Sequence, residues 1–235
     1  MKTKEKPLRV NNKTSGTSAP PGKPGYIVVE GPIGVGKTSL AQRLSRAYGG
    51  DLLLEKPQEN PFLERFYYAR KQFALPTQLF FLFQRARQLQ ALKQADMFRP
   101  VRVADFLLEK DYLFAHLNLD DDELRLYEQV YAQMSLDLFA PDLVIYLQAP
   151  VDVLLERIRK RGVEFERLIE RDYLETLSEA YMRFFYHYTN APLLVVNAAE
   201  INFVDNDADF QALLQHIRGI RSGGRHFFNP LPLSL

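Results

Sequence analysis

Not one cysteine occurs in the chain, which removes structural disulfides and every zinc site built on thiolates. No stretch comes near the run of about 18 apolar residues that a membrane-spanning helix needs, and the amino-terminal segment has no apolar core of the secretory-signal kind. The expectation is a cytoplasmic protein without a membrane partner. Strong net charge is missing as well: the 235 residues sum to +1. Residues 1–25 carry Lys2, Lys4, Lys6, Arg9, Lys13 and Lys23 against Glu5 alone, so the rest of the chain is slightly acidic. Such a body lacks the basic footprint that bulk nucleic-acid binding requires, while a local phosphate pocket stays compatible with it.

Hydrophobic residues make up 46 % of the chain, enough for one core of ordinary size in one domain. Residues 1–25, rich in Lys, Pro, Gly, Ser and Thr, have little to bury and read as a disordered tail. A transit peptide is the rival reading, and the shortage of arginine and of amphipathic pattern weighs against it. The folded domain is expected over 26–220, with 221–235 as a carboxy-terminal tail without periodicity. No internal repeat is visible.

Residues 26–40 read Tyr-Ile-Val-Val-Glu-Gly-Pro-Ile-Gly-Val-Gly-Lys-Thr-Ser-Leu. A β-branched run empties into a glycine-rich turn and then a helical pattern. Gly31 to Thr38 fits G-x-x-x-x-G-K-[ST], a loop whose backbone N–H groups ring phosphate oxygens while the lysine reaches the β- and γ-phosphates and the hydroxyl takes Mg²⁺. With glycine near 7 % of residues, the fixed positions coincide by accident on the order of once in a hundred chains of this length. Tyr26–Glu30 as a strand and Thr38–Tyr48 as a helix supply the context that sets this loop apart from a merely structural turn. ATP is the expected ligand of Gly31, Pro32, Ile33, Gly34, Val35, Gly36, Lys37, Thr38 and Ser39.

Further along, Asp51–Glu55 reads as a short second strand, Val101–Asp105 as a third, Asp142–Leu147 as a fourth and Leu193–Val196 as a fifth, with helices between them. That order defines an α/β protein with a five-stranded parallel sheet, nucleotide at its carboxyl edge and a helical insert between strands two and three. Asn60-Pro61 starts one insert helix and Pro76-Thr77 the next, running to about residue 95. Glu55 and Asp105 end their strands at the ligand edge, where a carboxylate is also commonplace. Asp105 suits a Mg²⁺ partner of Thr38. Gln78 and Arg85 share a face of a largely apolar helix, so they either tie the bundle together or await a polar ligand. Asp120–Asp122 reads as a solvated start of a helix over 120–140. Arg157 and Arg161 share a face that, taken alone, reads as solvated.

Together these segments resemble the deoxynucleoside kinase family, particularly its bacterial deoxyadenosine/deoxyguanosine kinase members, over residues 26 to about 220. Glu55-Lys-Pro is similar to a segment whose glutamate is the general base, and Tyr67 stands where a tyrosine touches the sugar 3′-hydroxyl. The resemblance implies that Gln78, Arg85 and Asp111 read the base, that Arg157 and Arg161 form a lid over the phosphates, and that Glu166 approaches the sugar. It also implies a homodimer. Two departures stand out. The family usually has Asp/Glu-Arg-Ser after the third strand, where this chain reads Asp105-Phe106-Leu107. The lid is often Arg-Gly-Arg, and here Val163 takes the second arginine's place. Arg102 and Lys110 are the available substitutes for the cation missing at 106.

The expected reaction is transfer of the ATP γ-phosphoryl group to the 5′-hydroxyl of a 2′-deoxynucleoside in nucleotide salvage. Lys37, Arg157 and Arg161 would neutralise charge, Thr38 and Asp105 would hold Mg²⁺, and Glu55 would take the proton. By resemblance the acceptor is a purine, deoxyadenosine ahead of deoxyguanosine. One rival is a monophosphate kinase of thymidylate-kinase type, which needs an extra cationic clamp where Glu55 stands. Another is a non-catalytic nucleotide-binding switch.

Overall fold

The computed structural model describes residues 24–94, 101–134, 140–220 and 223–229. The expected tail over 1–25 lies outside them except for its last two residues. So do residues 135–139 of the helix expected over 120–140, and residues 221, 222 and 230–235 of the carboxy-terminal segment.

Six strands form one parallel sheet: β1 (Tyr26–Glu30), β2 (Asp51–Leu53), β3 (Arg102–Ala104), β4 (Leu143–Gln148), β5 (Leu193–Asn197) and β6 (Arg225–Phe228), in the order β2-β3-β1-β4-β5-β6. The central strands are apolar throughout, with Ile27, Val28, Val29, Val144 and Ile145 without exposed surface, as a sheet covered on both faces requires. The order reverses at β1, between β3 and β4, which puts the phosphate-loop strand at the switch point where ligands of open α/β sheets bind.

The sixth strand corrects the expectation of five. Arg-His-Phe-Phe is short and exposed at alternate positions, and it pairs on one side only, with Leu193–Val196 facing Arg225–Phe228. Such an edge strand has no apolar run to announce it. The Arg225 guanidinium secures it by donating to the backbone oxygens of Phe185 and Tyr186, at 2.7 and 2.8 Å.

Eight helices flank the sheet among the described residues: α1 (Lys37–Tyr48), α2 (Leu63–Tyr68), α3 (Arg70–Gln94), α4 (Lys110–Asn118), α5 (Asp121–Gln133), α6 (Val151–Arg161), α7 (Arg171–His187) and α8 (Asp207–Gly219). Pro76 lies inside α3 and does not open it. An interior proline costs about 3 kcal/mol, and large apolar side chains recover about 1.5–3 kcal/mol each on burial. Phe73 before Pro76 packs on the core and Leu82 after it is fully buried, so packing carries the helix through. α5 starts where the acidic run announced it. The Asp120 carboxylate accepts from the N–H groups of Asp122 and Glu123, and Glu123 reaches back to the Asp120 N–H. Around Leu82, Leu108, Ala115 and Tyr127, helices α3, α4 and α5 form a second small core beside the main one. It fixes the insert over the sheet's carboxyl edge.

Candidate active site

β1 delivers Glu30 and then Gly31 into a loop folded tightly against its neighbours. A Cβ on Gly31 would stand 2.3 Å from the Leu147 carbonyl oxygen, and Gly34 holds a φ of +86° with a Cβ that would meet the Leu154 oxygen at 2.8 Å. These glycines are demanded by packing against β4 and α6. Lys37, at the start of α1, curls back to donate to the Gly31 and Pro32 oxygens at 2.7 and 3.0 Å. Burial lowers its ammonium pKa to about 8, against the pull of Glu30 in the opposite direction. Thr38 Oγ1 donates to Asp105 Oδ2 at 2.6 Å, and the Glu55 N–H donates to Asp105 Oδ1 at 2.7 Å. Burial raises the Asp105 carboxyl pKa, with the Thr38 bond opposing it. Arg157 donates to the Val35 oxygen at 3.2 Å and the Ala198 oxygen at 2.7 Å, so it is built onto the loop and not splayed into solvent.

On the other side of the loop stands a charged cluster. β2 ends at Leu53, which leaves Glu55 in the irregular segment that follows, two residues beyond the observed end of the strand expected to close with it. Arg85 Nε donates to Glu55 Oε1 at 2.7 Å, while the same guanidinium is paired with Asp111. Gln78 Nε2 donates to Asp111 Oδ1 at 2.7 Å and to its backbone oxygen at 3.0 Å. Lys110, the first residue of α4, completes the ring, 3.2 Å from Glu55 Oε1 and 3.6 Å from Glu30 Oε2. Burial works to raise the Glu55 pKa, but Arg85 and then Lys110 outweigh it and hold the carboxyl at about 2.

Both halves open into one cleft of about 1240 Å³, lined by Lys37, Thr38, Glu55, Gln78, Arg85 and Arg157 among others. That exceeds the roughly 300–1,000 Å³ of a site for one small ligand, so two can sit side by side. Tyr67 and Glu166 line it as well; Tyr67 stacks on Phe165 with ring centroids 6.2 Å apart, and Glu166 is paired with Arg161. Asp111 departs from the expected arrangement. It is wholly buried behind Gln78 and Arg85 and does not line the cleft, and its Oδ2 has no hydrogen-bond partner. Phe106 is in the core, and Arg102 begins β3 at the end of the sheet remote from the cleft.

Sequence reasoning missed Glu30. Its Oε1 accepts from the Gly31 N–H at 3.0 Å and the Tyr181 hydroxyl at 2.9 Å, and its Oε2 from the Leu107 N–H at 2.7 Å. The available signal was a lone charge closing an apolar strand directly before the glycine loop. Phe203, against Gly36, and Tyr173, across from Phe66, were missed for want of any local pattern.

A glycine-loop cradle at the switch point of a parallel sheet, opening into a second polar pocket, defines a phosphotransferase of the nucleotide-kinase class. The chain belongs to the deoxynucleoside kinase family, whose family model matches residues 27–220. It is 35 % identical over 201 residues to a deoxyguanosine kinase of Bacillus subtilis (strain 168), covering 82 % of this chain and 96 % of that one. A deoxyadenosine kinase of Lactobacillus acidophilus is 30 % identical over 195 residues, covering 77 % and 88 %. Among solved structures, that of deoxyadenosine kinase from M. mycoides with bound dATP superposes with a TM-score of 0.72 at 26 % identity, covering 83 % of this chain and all of that one. The protein is a deoxynucleoside kinase, the first of the three readings left open by the sequence.

Proposed function

We propose that the enzyme transfers the ATP γ-phosphoryl group to the 5′-hydroxyl of a purine 2′-deoxynucleoside. The observation that carries this reading is one shared cleft in which Lys37, Thr38 and Asp105 stand directly beside Glu55, itself clasped by two cations. The loop N–H groups and Lys37 hold the donor phosphates, and Arg157 and Arg161 close over the transferring group. Lys37 leaves its two carbonyl partners for phosphate oxygens, a stronger, charge-assisted bond. Glu55, ionised before substrate arrives, accepts a hydrogen bond from the 5′-hydroxyl, aims it and takes its proton late in a loose transition state.

Thr38 and Asp105 bring hydroxyl and carboxylate oxygens to one point, the hard donors that suit Mg²⁺. Among the described residues no group of three or more His, Cys, Asp or Glu could hold a metal. A bound Mg²⁺ would supply charge neutralisation at the donor phosphates.

For the acceptor, Gln78 and Arg85 face the base, with Asp111 behind them holding both in place, while Tyr67 and Glu166 attend the sugar. The higher identity to the quoted deoxyguanosine kinase favours deoxyguanosine, and we place it first, reversing the order expected from the sequence. A salvage role follows from an acceptor that is a free nucleoside. We place the enzyme in the cytoplasm as a homodimer. Phe83 and Leu126, exposed on the packed pair α3 and α5, favour self-association, which light scattering on the full chain tests. ATP-dependent conversion of a purine deoxynucleoside, with the phosphate located by phosphorus NMR, tests the reaction; phosphate on the 3′-oxygen, or none transferred, would refute it.

A further inference from the structure

The carboxylate that faces the acceptor is held by two cations from different elements, and only one of them reaches the donor side. Arg85 is committed to Glu55 and Asp111, both within the helical insert and its neighbourhood. Lys110 instead spans Glu55 and Glu30, and its side chain is only 3 % exposed. Glu30 is a fixed post: three donors, from Gly31, Leu107 and Tyr181, occupy its two oxygens. Arg85 holds Glu55 at Oε1, and the Lys110 ammonium, set between Glu55 and the fixed Glu30, ties that carboxylate to the donor side as well. The arginine that family resemblance places at 106 is a buried phenylalanine here, and Arg102 is at the far end of β3. Lys110 is thus the cation that lines the cleft beside Glu55 from the segment after β3.

We propose that Lys110 is a positioning residue of the phosphoryl transfer, bridging Glu55 to Glu30 under the phosphate loop and so locking the proton acceptor in register with the donor cradle. This rests on the kinase reading above. A lysine that merely neutralised buried carboxylates would matter to stability and not to turnover of the folded enzyme. One that positions Glu55 acts in the transition state more than on nucleoside binding.

The test is steady-state phosphorylation of a purine deoxynucleoside by the full chain, with nucleoside affinity measured separately by calorimetry and folding checked by circular dichroism. Lys110→Met is expected to lower kcat about 10²–10³-fold, with nucleoside Kd within about threefold of the parent. Lys110→Arg, which keeps the charge, is expected to restore kcat to within about tenfold. In a Glu55→Gln background, Lys110→Met is expected to change the residual rate less than about threefold, because the group it positions is gone. Lys110→Gln, polar but uncharged and one bond shorter, is the second variant where the apolar one does not fold; it removes the ammonium that bridges the two carboxylates and is expected to lose kcat in the same way. A parental kcat in folded Lys110→Met, or a full additional loss in the Glu55→Gln background, would overturn the proposal while leaving the kinase reading intact. Wild-type protein that phosphorylates no deoxynucleoside would overturn both.

Discussion

Glu55 carries its charge in surroundings that by themselves would strip it. Burial opposes ionisation, and Arg85 and Lys110 reverse the balance, so the carboxylate is ionised at neutral pH and free to accept a hydrogen bond. Replacing it by an amide keeps the shape and removes the acceptor. Glu55→Gln is expected to lower kcat by roughly 10²–10⁴-fold with nucleoside still bound in calorimetry; unchanged turnover would remove Glu55 from this role. Arg85 has a different duty. It is the partner of Asp111, and both side chains are almost wholly enclosed. Arg85→Met leaves that carboxylate buried and unpaired and is expected to cost about 3–5 kcal/mol in denaturant unfolding. Much of this site was legible because Glu55 and Asp105 follow short apolar strands in sequence, and strand ends in a parallel sheet meet at one edge. Glu30 and Lys110 were not legible as partners, because residues 30, 55 and 110 come together only through the crossover of three strands. Asp111 was expected to read the base, and its place behind Gln78 and Arg85 was not legible, since helical spacing says nothing about depth.

Elements were legible where their signal is local. The start of α5 was announced by the acidic run Asp120-Asp121-Asp122, and there the Asp120 and Glu123 side chains form a reciprocal cap. Asp120→Ala is expected to cost about 1 kcal/mol of stability with kcat unchanged, read as a fall in midpoint on thermal melting. Where tertiary packing decides, the local signal misled. Pro76 announces a helix start, yet Ala74 and Leu82 on either side of it are buried and the helix continues through. β6 was illegible for the opposite reason: an edge strand buries little, so its sequence need not be apolar. The helical insert is held by a small core of its own, and its keystone is Leu82, without exposed surface beneath Tyr127 and Leu108. Leu82→Ala is expected to destabilise by about 2–5 kcal/mol in denaturant unfolding.

For the whole molecule, the arrangement is a phosphate cradle and an acceptor pocket sharing one cleft, with a buried carboxylate–ammonium–carboxylate bridge running between them. Thr38 and Asp105 are the two protein ligands proposed for Mg²⁺, so a bound ion would take its remaining ligands from water and the nucleotide phosphates. Chelation by EDTA is therefore expected to abolish turnover while leaving the melting temperature of the free protein unchanged, and added Mg²⁺ is expected to restore the rate. The central claim is that the cleft beyond the loop accepts an uncharged purine deoxynucleoside. It is tested most directly by ADP release from ATP with each of the four deoxynucleosides and with dTMP side by side. Release with deoxyguanosine and deoxyadenosine is expected at least about tenfold above that with the pyrimidine nucleosides, and none with dTMP. A preference of the same size for a pyrimidine would contradict the purine assignment, and release with dTMP alone would contradict the acceptor site itself.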